Sequence, residues 1–293
     1  MSSLWNDFKI TFLKRDVLMR IILINTMVFV FALVVKVFCL LLQLPDPVDY
    51  LISEHLMLPS SLGSLIVNPW SIVTYMFLHS GIFHILFNML VLYWFGNIFQ
   101  EYLGKQKFAY AYFLSGIFGG LFYILCYNIF PYFSDAVAYS KALGASAAVM
   151  GIVFGTATLL PNYSIVFAIF GPIRLKYIAF FYLIIDLAGI AGNNAGGSLA
   201  HIGGALFGFL FIKQLQKGND WTKYPVRFID NIAGIFKPRN KMKVAYKNPA
   251  KSTKDNQTVS QEEVDRILEK ISKSGYENLS AKEKEILFRA GQQ

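Results

Sequence analysis

The sequence predicts an all-α polytopic membrane protein, with six transmembrane helices followed by a small cytoplasmic helical tail. Hydrophobic residues make up 55% of the chain and aromatic residues 16%, and the mean hydropathy of +0.46 lies outside the range of soluble globular domains. The apolar residues gather in six stretches, 19–43, 79–99, 107–130, 144–160, 175–191 and 197–214, and about 20 such residues cross a bilayer as a helix. The basic residues fall in alternate loops. In a soluble protein a net charge of +9 would suggest nucleic acid; here its placement is that of membrane topology, and no nucleic-acid partner is expected.

Residues 1–18 are polar and aromatic, without a short apolar core and a small-residue cleavage site, so no cleavable signal peptide is expected. Trp5, Phe8 and Phe12 fall on one helical face beside Lys9, Lys14 and Arg15. That pattern suits a short interfacial helix, and a disordered start is equally open. Lys36 can snorkel from the outer end of the first stretch. Residues 44–70 carry Asp46, Asp49 and Glu54 but no Lys or Arg. Leu56, Leu58, Leu62, Leu65, Ile66 and Trp70 make this loop apolar, which predicts a folded, partly embedded element. Lys105, Lys107, Arg174, Lys176 and the basic run from Lys213 to Lys251 all fall on the other side if there are six spans. Positive charge stays inside, so both termini are expected in the cytoplasm. Cys39 and Cys126 lie within apolar runs and read as buried small hydrophobes, not as a disulfide.

The last three stretches are short and rich in Gly and Ala. Gly151 and Gly155, and then Ala200, Gly204 and Gly208, recur every four residues, a spacing that lets helix backbones approach closely. These two stretches also carry Ser146 and His201. Polar groups at membrane depth face a protein interior or a wet cavity and mark function by default. Taken alone, Ser146 could be a packing serine and His201 a satisfied core histidine. Together, a hydroxyl at the start of one helix and an imidazole on another can form a nucleophile–base pair. At a helix start the backbone N–H of Ser146 is also free to bind an oxyanion.

His84 and Asn88 are four residues apart on the second stretch, which puts both on one helix face about 6 Å apart. They can donate to a common point or act as interhelical glue. Metal binding lacks a complementary Cys or carboxylate cluster, and neither a metal nor a cofactor is expected. Asp186 is the one carboxylate deep in an apolar stretch. It is expected near the outer interface, wetted or assisting movement of the fifth span, in preference to orienting His201.

The order and spacing of His84-x-x-x-Asn88, Gly144-x-Ser146 and Ala200-His201-x-x-Gly204 resemble those of the rhomboid family of intramembrane serine proteases, over residues of roughly 20–215. The resemblance is to the bacterial six-span form, so it implies a bacterial inner membrane, a six-helix rhomboid-like bundle and a Ser–His dyad, with Ser146 as nucleophile and His201 as general base. His84, Asn88 and the Ser146 N–H would form the oxyanion hole. Gly144 and Ala145 would shape the approach to the serine, and Gly204 and Gly208 would pack the sixth span on the fourth. Asn68-Pro-Trp70 and His79 look like the end of the family's outer loop, and the fifth span like its lateral gate. The chain departs from the family pattern at Ala147, often Gly; at Ser71, often Arg; and at Met150, where an aromatic often stacks on the histidine and a thioether is a plausible substitute. Transmembrane proteins would be the substrates, reached through the lipid bilayer. A rhomboid-like protein that binds client helices without cleaving them is the competing reading. A transporter would need internal repeats or a charged pathway, and neither is visible.

Beyond the protease domain of residues 19–215, residues 216–258 read as a basic linker and 259–293 as a helical hairpin. Ser260 to Glu263 and Ser280 to Glu283 each have the pattern of a capping box, and Gly275 reads as the stop of the first helix.

Overall fold

The computed structural model describes residues 16–167, 171–192, 194–223 and 260–291. The expected interfacial helix at Trp5, Phe8 and Phe12, and residues 224–258 of the expected linker, lie outside the described residues. The chain divides into two compact units, residues 1–236 and 237–293.

The first unit has helices at all six expected positions. Helix α1, Val17–Leu41, starts where the Asp16 carboxylate accepts from the Val17 N–H, and it buries only Leu18, Ile21, Asn25 and Cys39. Phe31, Leu40 and Leu41 are among its many exposed apolar residues, as expected of a surface solvated by lipid. The outer segment that follows is folded. It contains α2, Pro47–Leu51, a π-helical turn at Ile52–Leu56, the strand β1, Leu58–Pro59, and the short helices α3, Leu62–Val67, and α4, Ser71–Thr74.

Polar groups hold this segment in place. Trp70 Nε1 donates to the His55 carbonyl at 2.8 Å, and Thr74 Oγ1 to that of Leu56 at 2.8 Å. His55 Nδ1 and Asn68 Oδ1 are 3.1 Å apart. Strand β1 pairs antiparallel with β2, Lys141–Ala142, and Ser60 Oγ donates to the Val137 carbonyl at 2.9 Å. Ser71, where the family often has arginine, is fully buried.

The second and third expected spans are the two arms of one kinked helix, α5, Ile82–Ile129. The bend is Gly104, at φ 80° and ψ 166°, a backbone conformation that only glycine adopts without steric cost. Helix α6, Ser146–Leu159, buries ten of its fourteen residues, so it is enclosed by protein on every side. Its neighbours approach through glycines. A side chain on Gly204 would run into the Ala147 carbonyl, and one on Gly208 into that of Gly151.

Helix α7, Leu175–Ile190, is built differently. Only Leu175, Ala179 and Asp186 are buried, at positions i, i+4 and i+11 of one face, while Phe180, Phe181, Ile184, Ile185 and Leu187 are exposed. A hairpin of β3, Ser164–Phe167, and β4, Gly171–Arg174, joins α6 to α7. Four-residue strands gave no clear periodic signal, and the sequence pattern did not reveal it. Helix α8, Ala195–Gln216, completes the bundle. Helices α1, α5 and α8 are each long and apolar enough to cross a membrane. Residues 219–223, expected to belong to a linker, pack on the bundle instead. Asp220 pairs with Lys107 at 3.3 Å, and Tyr110 Oη donates to the Trp221 carbonyl at 2.8 Å.

In the second unit, α9, Gln261–Ser274, and α10, Ala281–Ala290, form the expected hairpin. Gly275, at φ 82°, stops α9. The capping box at Ser280 and Glu283 forms, but the one expected at Ser260 does not. There the Glu263 N–H donates to the main-chain carbonyl of Ser260 at 3.0 Å, so the hydroxyl is not engaged. Lys270 Nζ donates to Glu283 Oε1 at 2.8 Å. This bond, followed by those from the Ser280 amide and hydroxyl, holds the Glu283 carboxyl down at about 2.

Candidate active site

A cavity of about 850 Å³ opens between α5, α6, α7 and α8, and Ser80, His84, Asn88, Ser146, Tyr182 and His201 are among its lining residues. The structure therefore brings the sequence-predicted groups of three helices, α5, α6 and α8, to one space.

Ser146 is the first residue of α6, after Ala145, whose backbone is helical and whose side chain is fully buried. The Ser146 N–H is one of those a helix start leaves without an intrahelical acceptor. Gly144 shapes the approach. Its N–H donates to the Tyr75 carbonyl at 2.9 Å, and its φ is 131°. A Cβ at Gly144 would lie 3.0 Å from His84 Nε2 and 3.3 Å from Ser146 Oγ. The expected start of this span at residue 144 thus shifts to 146, because Gly144 takes a conformation outside the helix.

The same two distances show that His84 Nε2 and Ser146 Oγ converge on one point. The opposite edge of the imidazole is held by Ser80. The Ser80 N–H donates to His84 Nδ1 at 3.4 Å, and Ser80 Oγ lies 3.0 Å from that nitrogen. An Nδ1 that accepts from an amide leaves the ring proton on Nε2 in the neutral imidazole. His84 then presents an N–H to the space at Gly144 that the Ser146 hydroxyl also borders. Asn88, 8% exposed, donates one Nδ2 hydrogen to the His84 carbonyl at 2.8 Å and keeps the second for the cavity it lines. Sequence spacing gave the shared face of His84 and Asn88. The role of Ser80 was not anticipated, since a serine before a helix start has no distinctive pattern.

His201 reaches the cavity from α8 on a backbone pressed against α6 at Gly204 and Gly208. No hydrogen bond joins Ser146 to His201 among the described residues; such contacts are often long before substrate binds. Met150, 7% exposed, lines the same cavity.

Asp186 is not wetted, as one expectation had it, and it meets His201. It is 6% exposed, and its Oδ1 lies 2.7 Å from His201 Nδ1. The physical reason is the face it occupies. Asp186 follows Leu175 and Ala179 on the inward side of α7, where a carboxylate is costly unless it finds a donor.

Comparison with known proteins follows the same lines. Residues 67–217 match the Rhomboid domain model, and residues 252–291 match a family of unknown function, DUF6576. The chain is 31% identical over 149 residues to Rhomboid protein 1, mitochondrial, of Saccharomyces cerevisiae, covering 48% of this chain and 40% of that protein. It is 30% identical over 146 residues to the human Presenilin-associated rhomboid-like protein, mitochondrial, covering 46% and 35%. It is also 38% identical over 76 residues to Inactive RHOMBOID-like protein 8 of Arabidopsis thaliana, covering 26% and 22%. The chain thus spans less than half the length of these curated relatives. The domain match takes in more than half of this chain, contains all four motif residues, and establishes that the chain belongs to the rhomboid family.

Proposed function

We propose that this protein is an intramembrane serine endopeptidase that hydrolyses peptide bonds in or near the membrane segments of other proteins. The observation that carries the reading is the convergence of His84 Nε2 and Ser146 Oγ on Gly144, in one cavity with Asn88 and His201. In this scheme the Ser146 hydroxyl gives its proton to His201 Nε2 as Oγ bonds to the substrate carbonyl carbon. The carbonyl electron pair moves to oxygen, and the Ser146 N–H, His84 Nε2–H and Asn88 Nδ2–H donate to that oxyanion. Collapse breaks the C–N bond, and the imidazolium returns its proton to the leaving amine. Water, deprotonated by the same nitrogen, then releases the acyl group and restores the hydroxyl.

The exposed apolar faces of α1 and α7 support six crossings in contact with lipid. Lys105, Lys107, Arg174 and Lys176 fall in loops alternate to the one that holds Asp46, Asp49 and Glu54, which favours termini on the side where positive charge stays. The packing of residues 219–223 favours a protease domain that ends near 223, with the basic linker and helical hairpin beyond it.

A second reading is a client-binding protein without activity. It is favoured by the name of the Arabidopsis relative. Reconstitution with a single-span membrane reporter separates the two. The protease reading expects cleavage by the wild type and none by Ser146→Ala. Intact reporter with both proteins, bound equally, would favour the second.

A further inference from the structure

The Asp186–His201 contact deepens the hydrolase reading and rests on it. We infer that Asp186 is a positioning residue for the histidine base, so that Ser146 and His201 work with a third member supplied by α7. Asp186 is the one acidic residue of a helix whose neighbouring side chains Ile184, Ile185 and Leu187 are 48–50% exposed. It is itself buried, and its Oδ1 meets His201 Nδ1 at 2.7 Å across two different helices. An ionised carboxylate only accepts hydrogen bonds, so the ring proton of neutral His201 sits on Nδ1. The Nε2 lone pair is then the one available to the cavity that Ser146 lines. When Nε2 takes the serine proton, the imidazolium lies against a carboxylate and is stabilised by it. Asp186 gains no proton at any point; it orients and stabilises.

The other titratable groups around His201 do not substitute for it. His84 and Tyr127 on α5, Tyr182 on α7 and Lys141 on β2 line the same cavity, but His84 Nδ1 is held by Ser80 and Lys141 by Glu54 at 2.9 Å. None of these groups supplies a negative charge.

An interhelical contact of purely structural value predicts different mutants. Asparagine at 186 keeps the volume and a hydrogen bond but has no charge to stabilise the imidazolium, and its NH2, where it donates to Nδ1, moves the ring proton to Nε2, where a base is needed. Alanine leaves the tautomer free. The test uses the full-length protein in detergent, with a fluorophosphonate probe as a reporter of Ser146 nucleophilicity and fluorescent casein as a general protease substrate. Asp186→Asn is expected to melt near the wild type, to label on the order of 10²–10⁴-fold more slowly and to lose kcat with KM little changed. Asp186→Ala is expected to melt lower yet label faster than Asp186→Asn. A role in packing alone predicts the reverse order, Asp186→Asn close to wild type and Asp186→Ala the worse.

Asp186→Asn labelling at the wild-type rate, while Ser146→Ala is unlabelled, would remove the positioning role and leave the hydrolase intact. Wild-type protein that neither labels nor cleaves would remove both. Nitrogen-15 NMR of the wild-type histidines gives a check free of variants: the proton of His201 is expected on Nδ1, and a dominant Nε2–H form would contradict the inference.

Discussion

The cavity has two unlike walls. On one side α6 buries ten of fourteen residues and meets α8 backbone to backbone through Gly204 and Gly208. On the other, α7 buries three of sixteen. The first wall carries Ser146 and His201, and α5 beside it brings His84 and Asn88 to the same cavity, groups that the proposed reaction needs placed to a fraction of an ångström. The second is apolar, faces lipid and is tied to the first near its C-terminal end by one buried polar contact, Asp186 to His201. The contrast is what the proposed hydrolytic site would need in a solvent that offers no hydrogen bonds. Close placement on the first wall comes from small residues and close backbones, and α7 is held by Leu175 and Ala179 in the core and by the Asp186 contact.

The largest departure from this picture would come from the oxyanion donors. If the first wall and α5 beside it are organised for catalysis, Asn88→Ala should lower kcat by about 10²–10³ with KM little changed. Glue alone predicts a stability loss of about 1 kcal/mol and an unchanged rate per folded molecule. Thermal melting alongside steady-state kinetics distinguishes them.

Stability should divide the walls in the same way. Gly204→Val drives a side chain into the Ala147 carbonyl and should cost about 3 kcal/mol or abolish folding. Phe181→Ala, on the 63% exposed face of α7, should stay within about 0.5 kcal/mol. Equal losses in thermal melts would erase the distinction.

A smaller effect concerns where the bundle ends. Ending the chain at Lys217 removes the Asp220–Lys107 pair and the Trp221–Tyr110 bond and should lower stability by about 1 kcal/mol. Ending it at Lys223 should not, and both shortened proteins should keep the cavity groups in place. Melting curves of the two truncations make the comparison.

The smallest effect lies in the hairpin. Glu283 titrates at about 2, below its ordinary 4.5, because Lys270 and the Ser280 cap stabilise its charged form. A depressed carboxyl contributes stability that is present above pH 4.5 and lost as pH falls through about 2. Amide protection at the start of α10 should decline over that window in the full-length protein, and Glu283→Gln should show no such decline.

Much of the fold was legible in the sequence because lipid leaves few options. Apolar stretches of bilayer length gave the helices, and glycines four apart at 204 and 208 gave the tight crossing. His84 with Asn88, and Ser146 with His201, were legible because imidazoles and amides stand out against apolar surroundings. Asp186 was seen but misplaced. Its depth was readable, but which way α7 turns depends on packing with α8, and one polar residue does not fix a helix's rotation. Ser80 and the β3–β4 hairpin had no signal strong enough to separate them from ordinary loop residues. The failed cap at Ser260 shows the limit of motif reading, since a main-chain turn took the bond that the hydroxyl was expected to make.

The central claim is that Ser146 is a nucleophile activated by His201. Its most direct test is fluorophosphonate labelling of the full-length protein, read by mass spectrometry for the modified residue. The account predicts one adduct, on Ser146, lost in Ser146→Ala and nearly lost in a folded His201→Ala variant. An adduct that persists in Ser146→Ala, or forms at the wild-type rate without His201, would contradict it.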